Sequence, residues 1–199
     1  TTSCRPQRPM PSPEETPMAH RLSEDARGVY IISATPFTDT GAIDHASLDK
    51  LTDFYLGSGV DGITILGVMG EAPKLTNAEA QAVLTQVLRR VDGRVPVIVG
   101  VSNPGLGNMV ELAKVAMGHG AAGVMVAPSA AQKTEPNVIT LFESIAQALP
   151  DVPLVYQDFP LTTSMPISAG GFTTLVERVP SVVMLKHEDW PGLPKLSAV

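Results

Sequence analysis

The sequence predicts an α/β fold with parallel strands, a (β/α)8 TIM barrel of which about six strand-helix units are present. Short β-rich apolar runs begin near Val29, Gly62, Val95, Gly123, Val152 and Val182, at spacings of 33, 33, 28, 29 and 30 residues. Each spacing fits one strand and one crossover helix. Functional-looking residues follow most of the runs, as in a barrel, whereas an open doubly wound sheet concentrates them at one switch point.

Taken in order, residues 1–26 carry Pro6, Pro9, Pro11, Pro13 and Pro17 among Ser, Thr, Arg and Glu. Such a composition cannot bury a core, so a disordered Pro-rich tail is expected, followed by an incomplete barrel domain over residues 27–199. The runs read VYIISAT, GITIL, VPVIVGV, GVMVA, VPLVY and VVMLK, each short, continuous and apolar like a strand buried on both faces. Between them, Leu48 to Ser58, Asn77 to Arg90, Met109 to Gly118, Val138 to Leu149 and Phe172 to Arg178 place apolar residues at helical spacing. Gly105-Leu106-Gly107 lacks the third glycine of a dinucleotide fingerprint and reads as a loop entering a helix. Eight such units need about 240 residues, so the first and sixth strands are expected at open edges and the chain reads as C-terminally truncated.

The chain has 199 residues, 44% of them hydrophobic, and a net charge of -6 with acids and bases interspersed. That suits one globular domain and argues against nucleic acid or an anionic membrane surface as partner. Cys4 is the only cysteine and lies in the tail, so no internal disulfide is expected. With no apolar run long enough to span a bilayer, a cytoplasmic location is expected.

Lys186 ends the apolar run Val182-Val183-Met184-Leu185 and precedes the polar, turn-rich stretch His187-Glu188-Asp189-Trp190-Pro191-Gly192. An amine there stands at the mouth of the fold, and apolar surroundings favour the neutral, nucleophilic form that attacks a ketone or aldehyde. The bland alternative is a snorkelling lysine. Tyr156, ending the fifth run, is the expected proton shuttle one strand away, or else a core tyrosine. Gly67-Val68-Met69-Gly70 offers glycines that let backbone N–H groups approach a carboxylate, and serves equally as a tight turn. Asp158, His187, Glu188 and Asp189 could ligate a divalent metal, but neighbours on an extended segment point apart, so a solvated acidic loop is expected. Glu71 is expected to fix its loop through backbone donors, and His119 to sit at a helix end.

In sequence order these segments resemble the dihydrodipicolinate synthase / N-acetylneuraminate lyase family of class I, Schiff-base-forming aldolases. The resemblance runs from Gly28 onward. It includes Thr35-Pro36-Phe37 with Gly41-Ala42-Ile43-Asp44, the Gly67-x-x-Gly70-Glu71 turn, the fifth-strand tyrosine, and the sixth-strand lysine with a Glu two residues on. It implies Lys186 as the imine-forming residue, Tyr156 as general acid/base, and Thr35 with Gly67, Val68, Met69 and Gly70 as the keto-acid site. It implies no cofactor or metal, a small α-keto acid such as pyruvate as substrate, and a homo-oligomer.

Departures from the family pattern shape the expectation. The turn's two middle positions, hydroxyl residues in the family, are Val68 and Met69, so a hydroxyl relay through them is lost. Leu161-Thr162-Thr163 brings no arginine for an aldehyde substrate's carboxylate, and Ser129-Ala130 replaces a tyrosine pair. The expected activity is therefore a carbon–carbon lyase or aldolase other than dihydrodipicolinate synthesis itself. The alternative is a catalytically inactive truncated barrel that acts as a binding or interaction protein.

Overall fold

The computed structural model describes residues 20–199. Its strands are β1 (Tyr30–Ile32), β2 (Gly62–Ile65), β3 (Val97–Gly100), β4 (Gly123–Val126), β5 (Leu154–Asp158) and β6 (Val182–His187). They pair in parallel in the order β1-β2-β3-β4-β5-β6, a curled half-barrel with β1 and β6 at its edges. The expected α/β architecture is therefore found, in partial form. The expected tail lies mostly outside the described residues. Near its end Leu22 is buried and donates its N–H to the Ala122 carbonyl at 2.9 Å, so the packed chain reaches back before residue 26.

The crossover helices are α1 (His45–Gly57), α2 (Asn77–Val91), α3 (Leu106–Gly118), α4 (Glu135–Ala148) and α6 (Ala169–Arg178), with the short α5 (Pro160–Thr163) and α7 (Gly192–Leu196) at the strand ends. Four of the five long helices, all but α2, start about one turn before their apolar periodicity; side-chain caps extend three of them, whereas α3 follows Gly105 without one. Asp44, Thr134 and Ser168 each accept a backbone N–H at a helix start. Thr76 and Glu79 form a reciprocal capping box at α2, a contribution of about 0.5–2 kcal/mol for such a cap. Apart from the exposed Leu106, the residues of these first turns are polar or small, so hydrophobic period does not mark them.

Two hydrophobic layers result. On the convex side, Ile63, Ile65, Val97, Val99, Val124, Val126, Leu154 and Tyr156 pack with Leu84, Val87, Met109, Phe142 and Leu175 of the helices. On the concave side, Ile98, Met125 and Val155 join Leu22, Ala122, Tyr30 and Met184. Strands sandwiched between two apolar layers must be apolar at every position, which is why they read as continuous runs.

Candidate active site

The strands' C-terminal ends form the rim where the expected site residues lie. Beneath the rim the concave face encloses a cavity of about 300 Å³ lined by Tyr30, Ile32, Met125, Val155, Met184 and Lys186, among others. How Lys186 reaches it depends on one irregularity. Leu154 pairs with Val182 but Val155 pairs with Met184, leaving Val183 as an extra residue on β6. A bulge of this kind inverts the pleat phase of the residues beyond it, so Met184, Lys186 and Glu188 share the concave face. Lys186 then stands opposite Gln157 in the ladder.

Three polar side chains meet there. Lys186 Nζ donates to Glu188 Oε1 at 2.7 Å, and Gln157 Nε2 donates to the same oxygen at 2.8 Å. Gln157 is buried, whereas Lys186 and Glu188 are partly open, with side-chain exposures of 24% and 32%. The site therefore has an amine and a carboxylate accessible at the mouth of an apolar cavity, and an amide that fixes the carboxylate from below.

Tyr156 is not part of this group. Side chains alternate along a strand, so the residue before Gln157 points to the opposite face. Tyr156 is fully buried on the convex side, its ring 5.2 Å from that of Phe142 on α4 and 5.8 Å from that of Phe172 on α6. The expectation of Lys186 and Tyr156 working together is corrected by this geometry: the sheet stands between them. The Tyr156 hydroxyl has no hydrogen-bond partner among the described residues. Burial, with smaller contributions from Asp158 and Glu135, pushes its phenol well above the ordinary value.

A measurement can read that shift. The folded state holds the Tyr156 proton more tightly than the unfolded state does. Stability is therefore intact below the ordinary tyrosine pKa of about 10 and declines as pH rises beyond it. Ultraviolet titration of the chain's three tyrosines should leave Tyr156 silent until the protein unfolds. Tyr156→Phe should lessen the alkaline loss of stability, and a Tyr156 titrating freely in folded protein would contradict the burial.

The turn after β2 is built from the other side. Leu66 leaves the strand with φ 54°, a left-handed conformation unusual for a residue with a side chain. Gly67 then lies over Met125 and Ile32, since a Cβ there would be 3.4 Å and 3.9 Å from their methyl groups. The N–H groups of Gly67, Val68, Met69 and Gly70 form no backbone hydrogen bond among the described residues. Thr35 is buried, and its hydroxyl donates to the Gly70 carbonyl at 2.7 Å, so it braces the turn. Val68 and Met69 are exposed, at 44% and 61%. Gly67 thus abuts two residues of the cavity wall that Lys186 also lines, but the turn itself does not line the cavity and makes no hydrogen bond to Lys186.

The other candidates separate. Asp158 and His187 lie on the convex face, where His187 Nδ1 and Lys195 Nζ both contact Asp158 Oδ2, at 2.8 Å and 2.7 Å. Lys195 also reaches Asp189, at 3.2 Å. Glu188 is on the opposite side, and no group of three His, Cys, Asp or Glu that could hold a metal occurs among the described residues. Glu71 pairs with Lys74 at 2.5 Å rather than with backbone donors. His119 caps α3, one ring nitrogen 2.8 Å from the Val115 carbonyl.

Sequence reasoning missed Gln157 as a site residue. The available signal was a polar amide inside a run otherwise buried, which needs a partner. It missed Gly100 as well, where a Cβ would lie 2.1 Å from the Leu66 carbonyl oxygen, so only glycine lets β3 pass beneath the turn.

A chain-ordered parallel sheet with its polar residues at the strands' C-terminal ends defines part of a (β/α)8 barrel that carries its site on the rim. The chain belongs to the dihydrodipicolinate synthetase family, whose model matches residues 25–189. It is 33% identical over 161 residues to 4-hydroxy-tetrahydrodipicolinate synthase of Sorangium cellulosum, covering 80% of this chain and 53% of that protein. Among solved structures it resembles dihydrodipicolinate synthase from Rhodopseudomonas palustris, with 47% identity, a TM-score of 0.85, and coverage of 89% of this chain and 59% of that one. It also resembles YagE, a prophage protein of the same family from E. coli K12 solved in complex with pyruvate, with 28% identity, a TM-score of 0.79, and coverage of 85% and 57%. The chain spans about half the length of the curated relatives it matches. No described helix is long and apolar enough to cross a membrane.

Proposed function

We propose that this chain carries the amine-bearing part of a carbon–carbon lyase or aldolase that binds an α-keto acid, such as pyruvate, as a Schiff base on Lys186. The observation that carries the reading is Lys186 Nζ at the mouth of the concave cavity with a carboxylate 2.7 Å away. The amine attacks the keto carbon, water leaves, and the protonated imine withdraws electrons from the adjacent carbon–carbon bond. The unpaired N–H groups of Gly67 to Gly70, braced by Thr35, suit the keto-acid carboxylate. Family membership and the pyruvate bound to YagE support the substrate class.

Val68 and Met69 make the turn's outer surface apolar, which favours a bulkier or less polar acceptor than aspartate semialdehyde. The same reading makes the protein cytoplasmic and a homo-oligomer. Borohydride reduction with pyruvate should add a stable mass to the peptide containing Lys186, and Lys186→Ala should abolish it. No adduct with any keto acid, or one that survives Lys186→Ala, would end the Schiff-base reading.

A further inference from the structure

The Schiff-base chemistry needs a group that moves protons at Nζ and at the carbon next to the imine, and Tyr156 is on the wrong side of the sheet to be that group. We propose that Glu188 is the proton shuttle of this site and that Gln157 is the positioning residue that holds it there. The inference rests on the Schiff-base reading and goes beyond it by replacing the expected phenol with a carboxylate.

The geometry argues for each half. Glu188 touches the reacting nitrogen directly, 2.7 Å from Oε1 to Nζ. The carbonyl carbon of a bound keto acid lies one bond from Nζ and its neighbouring carbon two bonds away. A carboxylate in contact with Nζ is therefore within reach of both. The bulge at Val183 gives Lys186 and Glu188 the same face, so the carboxylate follows the amine into the cavity mouth. Gln157 is buried and donates to the same Oε1 at 2.8 Å. That bond fixes one oxygen of the carboxylate and leaves Oε2 free of any partner among the described residues. The anchored oxygen orients the group; the free one can take up a proton.

The proton balance closes without any further reagent. Glu188 carboxylate takes a proton from the Lys186 ammonium, and the neutral amine adds to the keto carbon, a second proton passing from the now cationic nitrogen to the former carbonyl oxygen to give the neutral carbinolamine. Glu188 as the acid returns its proton to the carbinolamine hydroxyl, which leaves as water and yields the iminium. The carboxylate so regenerated removes a proton from the carbon beside the iminium, giving the neutral enamine and a protonated Glu188. Running the last step backwards in deuterated water labels the keto acid.

Exchange of pyruvate methyl protons for deuterium, followed by NMR, reads the shuttle, while borohydride trapping at Lys186 reads the amine. Glu188→Gln should fold and still give some trapped adduct, with exchange reduced roughly 10²- to 10⁴-fold, the range for loss of a general acid/base. Tyr156→Phe should leave exchange within about twofold. In Glu188→Ala, added formate should restore part of the exchange, a response that a merely structural carboxylate would not give. Gln157→Leu should lower the exchange rate and shift its pH profile, with the Lys186 adduct retained. Exchange that persists in Glu188→Gln, or collapses in Tyr156→Phe with the adduct still forming, would overturn the shuttle and leave the Schiff base standing. Failure of the unaltered chain to form any adduct would overturn both.

Discussion

Gly100→Ala should cost more than about 4 kcal/mol, beyond the range of most single substitutions. The new methyl group would sit 2.1 Å from the Leu66 carbonyl oxygen and 2.7 Å from its carbonyl carbon, both backbone atoms with no rotamer to yield. Leu66 cannot retreat, because its left-handed φ begins the turn and Ile65 before it is paired with Val99. Relief requires parting the ends of β2 and β3, and with them the floor of the Gly67 to Gly70 turn. Urea unfolding should show a large drop in midpoint or no folded baseline. Gly107→Ala on α3 supplies the control, since a Cβ there meets nothing within 4 Å; it should be neutral or stabilise by up to about 1 kcal/mol. Matching midpoints for the two variants would refute the close approach.

Asp158→Ala should be nearly as damaging, at about 3–5 kcal/mol, because it removes the shared partner of two buried cations or donors. Asp158 is fully buried, His187 and Lys195 are 6% and 12% exposed, and Lys195 comes from α7, so the carboxylate ties the last helix to β5 and β6. Exposed pairs set the scale for comparison. Arg178 and Glu143 lie 2.6 Å apart with side chains 54% and 34% exposed, and breaking them should change stability by less than about 1 kcal/mol. Thermal unfolding of Asp158→Ala, Asp158→Asn and Glu143→Gln should rank in that order of damage. A loss under about 1 kcal/mol for Asp158→Ala would show that the cluster holds nothing together.

How far the sequence could be read is set by what each residue pattern encodes. The six strands and the crossover helices were legible because burial on two faces demands continuous apolar runs, and helices on one face demand a period. The short α5 and α7 carry too few residues to show one. The pleat phase was not legible, and for the same reason that the strands were: Val152-Pro153-Leu154-Val155-Tyr156 offers no polar residue to mark which face is which. Tyr156 stands at the strand end between two residues of the concave face, Val155 and Gln157, and nothing in its neighbours shows that its own side chain points the other way. The bulge at Val183 is equally silent inside Val182-Val183-Met184-Leu185. Lys186 was legible, because a charged residue ending such a run has few places to go.

The order of strands in the sheet is also their order along the chain. Every ladder is therefore closed by a single crossover of roughly thirty residues, and none awaits a distant part of the polypeptide. Closing about thirty residues costs less entropy than uniting segments a whole domain apart, although each parallel ladder still waits for its own crossover helix. Assembly can begin at any adjacent pair and add units outward, as in a stacked repeat. Lys186 lies in β6 and Glu188 directly follows it, so if growth starts from the amino-terminal side the amine and its carboxylate join a sheet whose β1 to β5 are already in place.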